Sequence, residues 1–83
     1  MSSQDHANEW LWSAEARAFD GPRLRRAIIA RGWTTSEFAK AARVNVASVY
    51  NALSGRRVRD GTAIRIFETL EKREPMMVAV ESN

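Results

Sequence analysis

An all-α fold of five short helices is what this sequence predicts, and three observations predict it. Apolar residues recur at three- and four-residue intervals through most of the chain, the spacing of one helical face. Capping and breaking residues, among them Asp20-Gly21-Pro22, Gly32, Asn45, Gly55 and Pro75, punctuate those stretches. The 83 residues, 45% hydrophobic with three Trp and three Phe, suffice for one small core and not for two.

Taken in order, Ala7, Trp10, Leu11, Ala14 and Ala18 fall on one stripe and predict a first helix, halted by Asp20-Gly21-Pro22. Trp12 and Phe19 lie off that stripe, so this helix either packs on two sides or offers an aromatic to a partner. Pro22 suits the first turn of a second helix, whose inward face is Leu24, Ala27 and Ile28 and which Gly32 ends as a C′ residue. Thr34 and Glu37 have capping-box spacing, which starts a third helix at Thr35 that runs to about Ala42. Asn45 is the N-cap of a fourth helix with Val49, Ala52 and Leu53 on its buried side and Ser54-Gly55 at its close. Asp60-Gly61-Thr62 opens a fifth, in which Ile64, Phe67 and Leu70 recur every three residues before Pro75 ends it. The apolar run MMVAV, residues 76–80, reads as a short C-terminal strand or an extended tail.

Composition narrows the class. The chain has no Cys, which removes disulfides and thiolate zinc sites and fits a reducing compartment. No apolar run approaches the roughly 18 residues of a membrane span, and the acidic start MSSQDHANE lacks the basic region of a signal peptide, so the sequence reads as cytoplasmic. Net charge is only +3, but it is unevenly spread. Residues 1–20 carry one cation against four acids, residues 21–65 ten against two, and residues 66–83 two against four. A cationic block between acidic flanks suits a polyanion, because Lys and Arg that neutralise phosphates release condensed counterions; a solvated basic surface is the plainer reading of the same charges.

Only Arg43 and Val44 separate the third helix from the N-cap of the fourth. Helices joined so tightly cross at a steep angle, and the second projects one face outward. Ala39 supplies the small residue at the crossing, Val44 fills the turn, and Val49 with Ala52 anchors the projecting helix from beneath. That is the pattern of a helix-turn-helix. The stretch WTTSEFAKAARVNVASVYNALSGRR resembles the lambda-repressor-like family of the Cro and Xre type, with Trp33, Thr34, Glu37, Phe38, Ala39, Val44, Val49 and Gly55 on matching positions. The likeness runs from about Leu24 to Leu70. It divides the chain into an N-terminal extension (1–21), a helix-turn-helix domain (22–74) and a tail (75–83). Two positions depart from the family pattern: Arg43 stands where Gly is usual in the turn, and Thr35 where Gln is usual at the helix start. At positive φ, Arg43 would carry strain of about 1 kcal/mol.

With Val49 and Leu53 inward, the opposite face of the fourth helix holds Val46, Ala47, Ser48, Tyr50 and Asn51, the candidates for base contact, with Ser54 at its end. Asn51 can bond adenine through two contacts and small apolar side chains suit the thymine methyl, which favours an A·T-containing site. Candidates for phosphate contact are Thr35, Lys40, Arg43, Ser54, Arg56, Arg57 and Arg59, with Arg23, Arg25 and Arg26 flanking. About half of the ten cations of the central block are expected to reach phosphate. The resemblance implies a transcriptional regulator, a repressor of a phage, plasmid or bacterial operon, and family members often dimerise on half-sites roughly 34 Å apart. Here the tail or the Trp-bearing first helix would form the dimer contact, and the sequence is compatible with either monomer or homodimer.

An enzyme is not expected. His6 is the single His and no nucleophile or phosphate-cradling loop accompanies it, so neither a catalytic centre, a metal site, a cofactor nor a small-molecule site is read here. The competing class is a protein-interaction module such as an antitoxin or anti-repressor, motivated by Trp10-Leu11-Trp12 and Met76-Met77-Val78.

Overall fold

The computed structural model describes residues 11–76. They form a mainly helical protein: a two-stranded antiparallel sheet of β1 (Trp12–Ser13) and β2 (Ala18–Phe19), followed by α1 (Gly21–Ala30), α2 (Thr35–Ala42), α3 (Val46–Leu53) and α4 (Asp60–Glu71). The five-helix expectation is thereby corrected. Where the first helix was expected, residues 12–19 form a hairpin, with Trp12 opposite Phe19 and Ser13 opposite Ala18. Residues 7–10 of the expected helix, and residues 77–80 of the expected C-terminal strand, lie outside the described residues.

The physical reason for the hairpin is that the helical stripe rested on small alanines, whereas the two aromatics off the stripe had more to bury. Trp12 and Phe19 meet edge to face at 4.9 Å, Phe19 touches Phe67 at 5.3 Å, and Phe19 is buried in the core. Ser13 Oγ accepts the Ala16 N–H at 3.2 Å, turning the chain locally, and Arg17 takes a left-handed backbone (φ 52°) that no helix continues through. Pairing to a distant segment completes the arrangement: the Val58 N–H donates to Arg17 O at 2.8 Å, and Ala18 pairs with Arg57.

The first three helices begin and end where the capping residues predict. Asp20 caps α1 by accepting the Arg23 N–H, and Gly32 follows its end at φ 85°. In α2 both halves of the capping box are made: Thr34 Oγ1 accepts the Glu37 N–H at 3.1 Å and Glu37 Oε1 accepts the Thr34 N–H at 2.9 Å. The Thr34 N–H thereby holds the Glu37 carboxyl below the usual carboxylate range, helped by the Thr34 hydroxyl, Arg73 and Lys40. Asn45 caps α3 through the Ala47 N–H at 2.9 Å. By contrast, no side chain caps α4.

One core gathers Phe19 of β2, Leu24 and Ile28 of α1, Phe38 and Ala39 of α2, Val49 and Ala52 of α3, and Ala63, Ile66 and Leu70 of α4, with Trp33 and Val58 from the segments between helices. Gly21 is buried because a Cβ there would overlap the carbonyl oxygen of Leu53, so α1 starts hard against the end of α3. The face expected for α4 needs correction. Ile64 is 56% exposed, and Ala63, Ile66 and Leu70 point inward with Phe67 half-buried. Strict three-residue steps drift about 60° each around a helix, whereas the three- and four-residue steps from Ala63 stay on one side. Among the described residues, no helix is long and apolar enough to cross a membrane.

Candidate nucleic-acid interface

The orientation of α3 follows from its two wholly buried residues. Val49 and Ala52 have no exposed surface, so helical geometry turns Ala47, Tyr50, Asn51 and Ser54 to solvent, with Val46 at 39% exposure beside them. Ala39 lies buried at the crossing with α2, and the Val44 N–H returns to Ala39 O at 3.1 Å, closing the turn. Arg43, the residue that enters this turn, adopts φ 58° and ψ 43°. Arg43 thus takes the left-handed backbone despite its strain, and its carbonyl accepts a hydrogen bond from Arg65 Nη1 at 2.9 Å.

Of the base-contact candidates, Val46, Ala47, Tyr50 and Asn51 share the exposed face of α3. Ser48 does not lie fully on it. Half-buried, it lines the neighbouring groove between α3 and α4 together with Arg59 and Thr62. Asn51 and Arg57 border one end of that groove; Arg43, Asn45 and Arg65 border the other.

The phosphate-contact candidates separate by what each atom is already doing. Lys40, Arg43, Arg56, Arg57 and Arg59 are exposed, and Thr35, first residue of α2, is half-buried. Ser54 is exposed, but its hydroxyl donates to Tyr50 O at 2.9 Å, which leaves that oxygen as an acceptor and a poor partner for phosphate. The arginine run is an extended segment pinned by Val58, which is buried between exposed Arg57 and Arg59. The Arg56 N–H adds a bond to Asn51 O at 3.0 Å, so the run is tied to the end of α3 on one side and to the hairpin on the other.

Three arginines of the central block, Arg23, Arg31 and Arg65, have defined partners in the fold. Arg31 is half-buried and donates to the carbonyls of Ala27, Leu70 and Arg73, which removes it from the surface charge. Arg65, absent from the sequence-derived candidates, belongs to the groove beside Arg43 and Arg59. Its helical position, one residue before buried Ile66, was legible; its partner on the α2–α3 turn was not. The flanking Arg23 lies 3.6 Å from Asp20, while Arg25 and Arg26 are exposed along α1.

Compared with known proteins, the chain matches no family model, no curated protein and no solved structure at a significant level.

Proposed function

We propose that this protein is a sequence-specific double-stranded DNA-binding regulator of the lambda-repressor-like kind, cytoplasmic, acting as a repressor, in which α2 and α3 form a helix-turn-helix and α3 enters the major groove. One observation carries the reading. α3 presents an exposed face of Ala47, Tyr50 and Asn51, and the segment that follows exposes Arg56, Arg57 and Arg59 around a buried Val58 anchor. Short side chains let a helix approach base edges closely, and guanidinium groups on a main chain held beside it supply phosphate contacts that carry affinity without sequence information. Asn51 is assigned to adenine and Ala47 with Val46 to a thymine methyl. Arg43, Arg56, Arg57 and Arg59 are assigned to the backbone, with Lys40 and Thr35 as further phosphate contacts.

The interaction-module reading drew on Trp10-Leu11-Trp12 and on Met76-Met77-Val78, of which Met76 is exposed and residues 77–78 lie outside the described residues. Leu11 and Trp12 pack against the core here, which weakens the first motive. The test is duplex binding by fluorescence anisotropy at low salt, with a random-sequence duplex and with duplexes selected from a random pool. Complex formation below about 10 μM is expected, and the Arg56→Ala, Arg57→Ala double variant should reduce the slope of log affinity against log salt by about 1.8. No complex in that range would overturn the proposal.

A further inference from the structure

The segment before α1 was expected to be a helix that packs on the body or meets a partner; it is a hairpin instead, and its backbone pairing ties it to the arginine run. We propose that the hairpin forms a second edge of the DNA-binding surface and that Arg17, at its turn, contacts a backbone phosphate. The inference rests on the duplex-binding reading above. Its first support is connectivity: Val58 donates to Arg17 O at 2.8 Å and Ala18 pairs with Arg57, so Arg17 is held by main-chain bonds next to Arg57 and Arg59.

The second support is a contrast along the hairpin. Phe19 is 3% exposed and Ala18 half-buried, which seats the hairpin on the core, whereas Arg17 is exposed and forms no ion pair among the described residues. A seated strand end carrying an exposed arginine keeps that cation within a side chain's reach of the arginine run. The third support is the backbone of Arg17 itself, left-handed at φ 52°. Such a conformation costs a side-chain-bearing residue about 1 kcal/mol, and Gly or Asn would adopt it more readily. Glu15, exposed in the same turn, limits the cationic edge to this single residue.

The test compares wild type with Arg17→Asn, Arg17→Lys and Glu15→Gln on one fluorescent random-sequence duplex across salt. Asn keeps the left-handed turn, so the thermal midpoint of Arg17→Asn should equal or exceed that of wild type. Its slope of log affinity against log salt should shrink by about 0.9, so that affinity falls about 3.5-fold less than wild type between about 50 and about 200 mM salt. Arg17→Lys should keep the wild-type slope, and Glu15→Gln should bind more tightly. A wild-type slope in Arg17→Asn, with wild type itself binding, overturns the role of Arg17 and leaves the duplex-binding reading standing. Failure of wild type to bind any duplex overturns both.

Discussion

Arg31 and Arg73 each donate to the other's main chain: Arg31 Nε to Arg73 O at 2.9 Å, and Arg73 Nη1 to Arg31 O at 3.2 Å. Each thereby caps the C-terminal end of the other's helix, where free carbonyls and the helix dipole favour a cation. Arg31 also reaches Leu70 O and Ala27 O, and the Arg73 guanidinium lies 4.3 Å from the Trp33 ring centre. Burial lowers the pKa of Arg31 from its ordinary value. The pair locks α1 to α4 at the end of the molecule where α4 closes.

Arg31→Met should therefore destabilise the fold by about 2 kcal/mol, since it strands carbonyls while keeping the apolar stem. Arg31→Lys should recover little, because one ammonium cannot copy a planar fork spread over several acceptors. Urea unfolding measures both. Duplex affinity of the folded fraction should not change.

Gly21 and Gly61 make opposite predictions from the same substitution. At Gly21 a methyl group would collide with the Leu53 carbonyl, and because that atom belongs to backbone, α1 and α3 must shift. Gly21→Ala should cost about 2 to 3 kcal/mol. Nothing lies within 4 Å of the corresponding position at Gly61, in the first turn of α4, and Gly61→Ala should stabilise by about 0.5 kcal/mol through the unfolded chain. Thermal midpoints that moved the same way in both variants would refute the packing described for Gly21.

Glu37 supplies the acid sensitivity of α2. Its folded pKa lies below that of the unfolded chain because the Thr34 N–H favours the carboxylate, so its contribution is complete above the unfolded value of about 4.3 and is lost as pH falls through the folded one. Glu37→Gln keeps an oxygen facing the Thr34 N–H but cannot titrate. The stability difference between wild type and Glu37→Gln should thus narrow on acidification below about pH 4.3 and stay constant above pH 5, as followed by thermal melts.

Much of this fold was legible because its signals are local. The caps Asp20, Thr34 with Glu37, and Asn45 bond backbone two or three residues away, so α1, α2 and α3 could be bounded from sequence. The exposed face of α3 followed from its inward residues, Val49 and Ala52, with Leu53 packed beside them. What escaped depends on distant partners. The hairpin over residues 12–19 is paid for by pairing with residues 57–58, and Ala14 and Ala18 counterfeit a helical stripe in the meantime. On α4, Ile64 looked as apolar as Ile66, and only the packed core distinguishes them. The roles of Arg31 and Arg65 rest on carbonyls 39, 42 and 22 residues away, for which no spacing rule exists.

Arg43 is where stability and the proposed binding pull apart. Its left-handed backbone would suit Gly, and its side chain stands exposed on the groove with Arg59 and Arg65. Arg43→Gly keeps the carbonyl that Arg65 holds at 2.9 Å and relieves the strain, so it should stabilise the protein by about 1 kcal/mol. If the guanidinium meets a phosphate, the same change should weaken duplex binding and lower the salt slope by about 0.9. Arg43→Asn, which tolerates the same backbone, should give an intermediate gain in stability and an equal loss of slope. Paired urea unfolding and salt-dependent anisotropy on these variants separate the two effects: a stabilised variant with the full wild-type slope would remove Arg43 from the interface and leave the turn geometry intact.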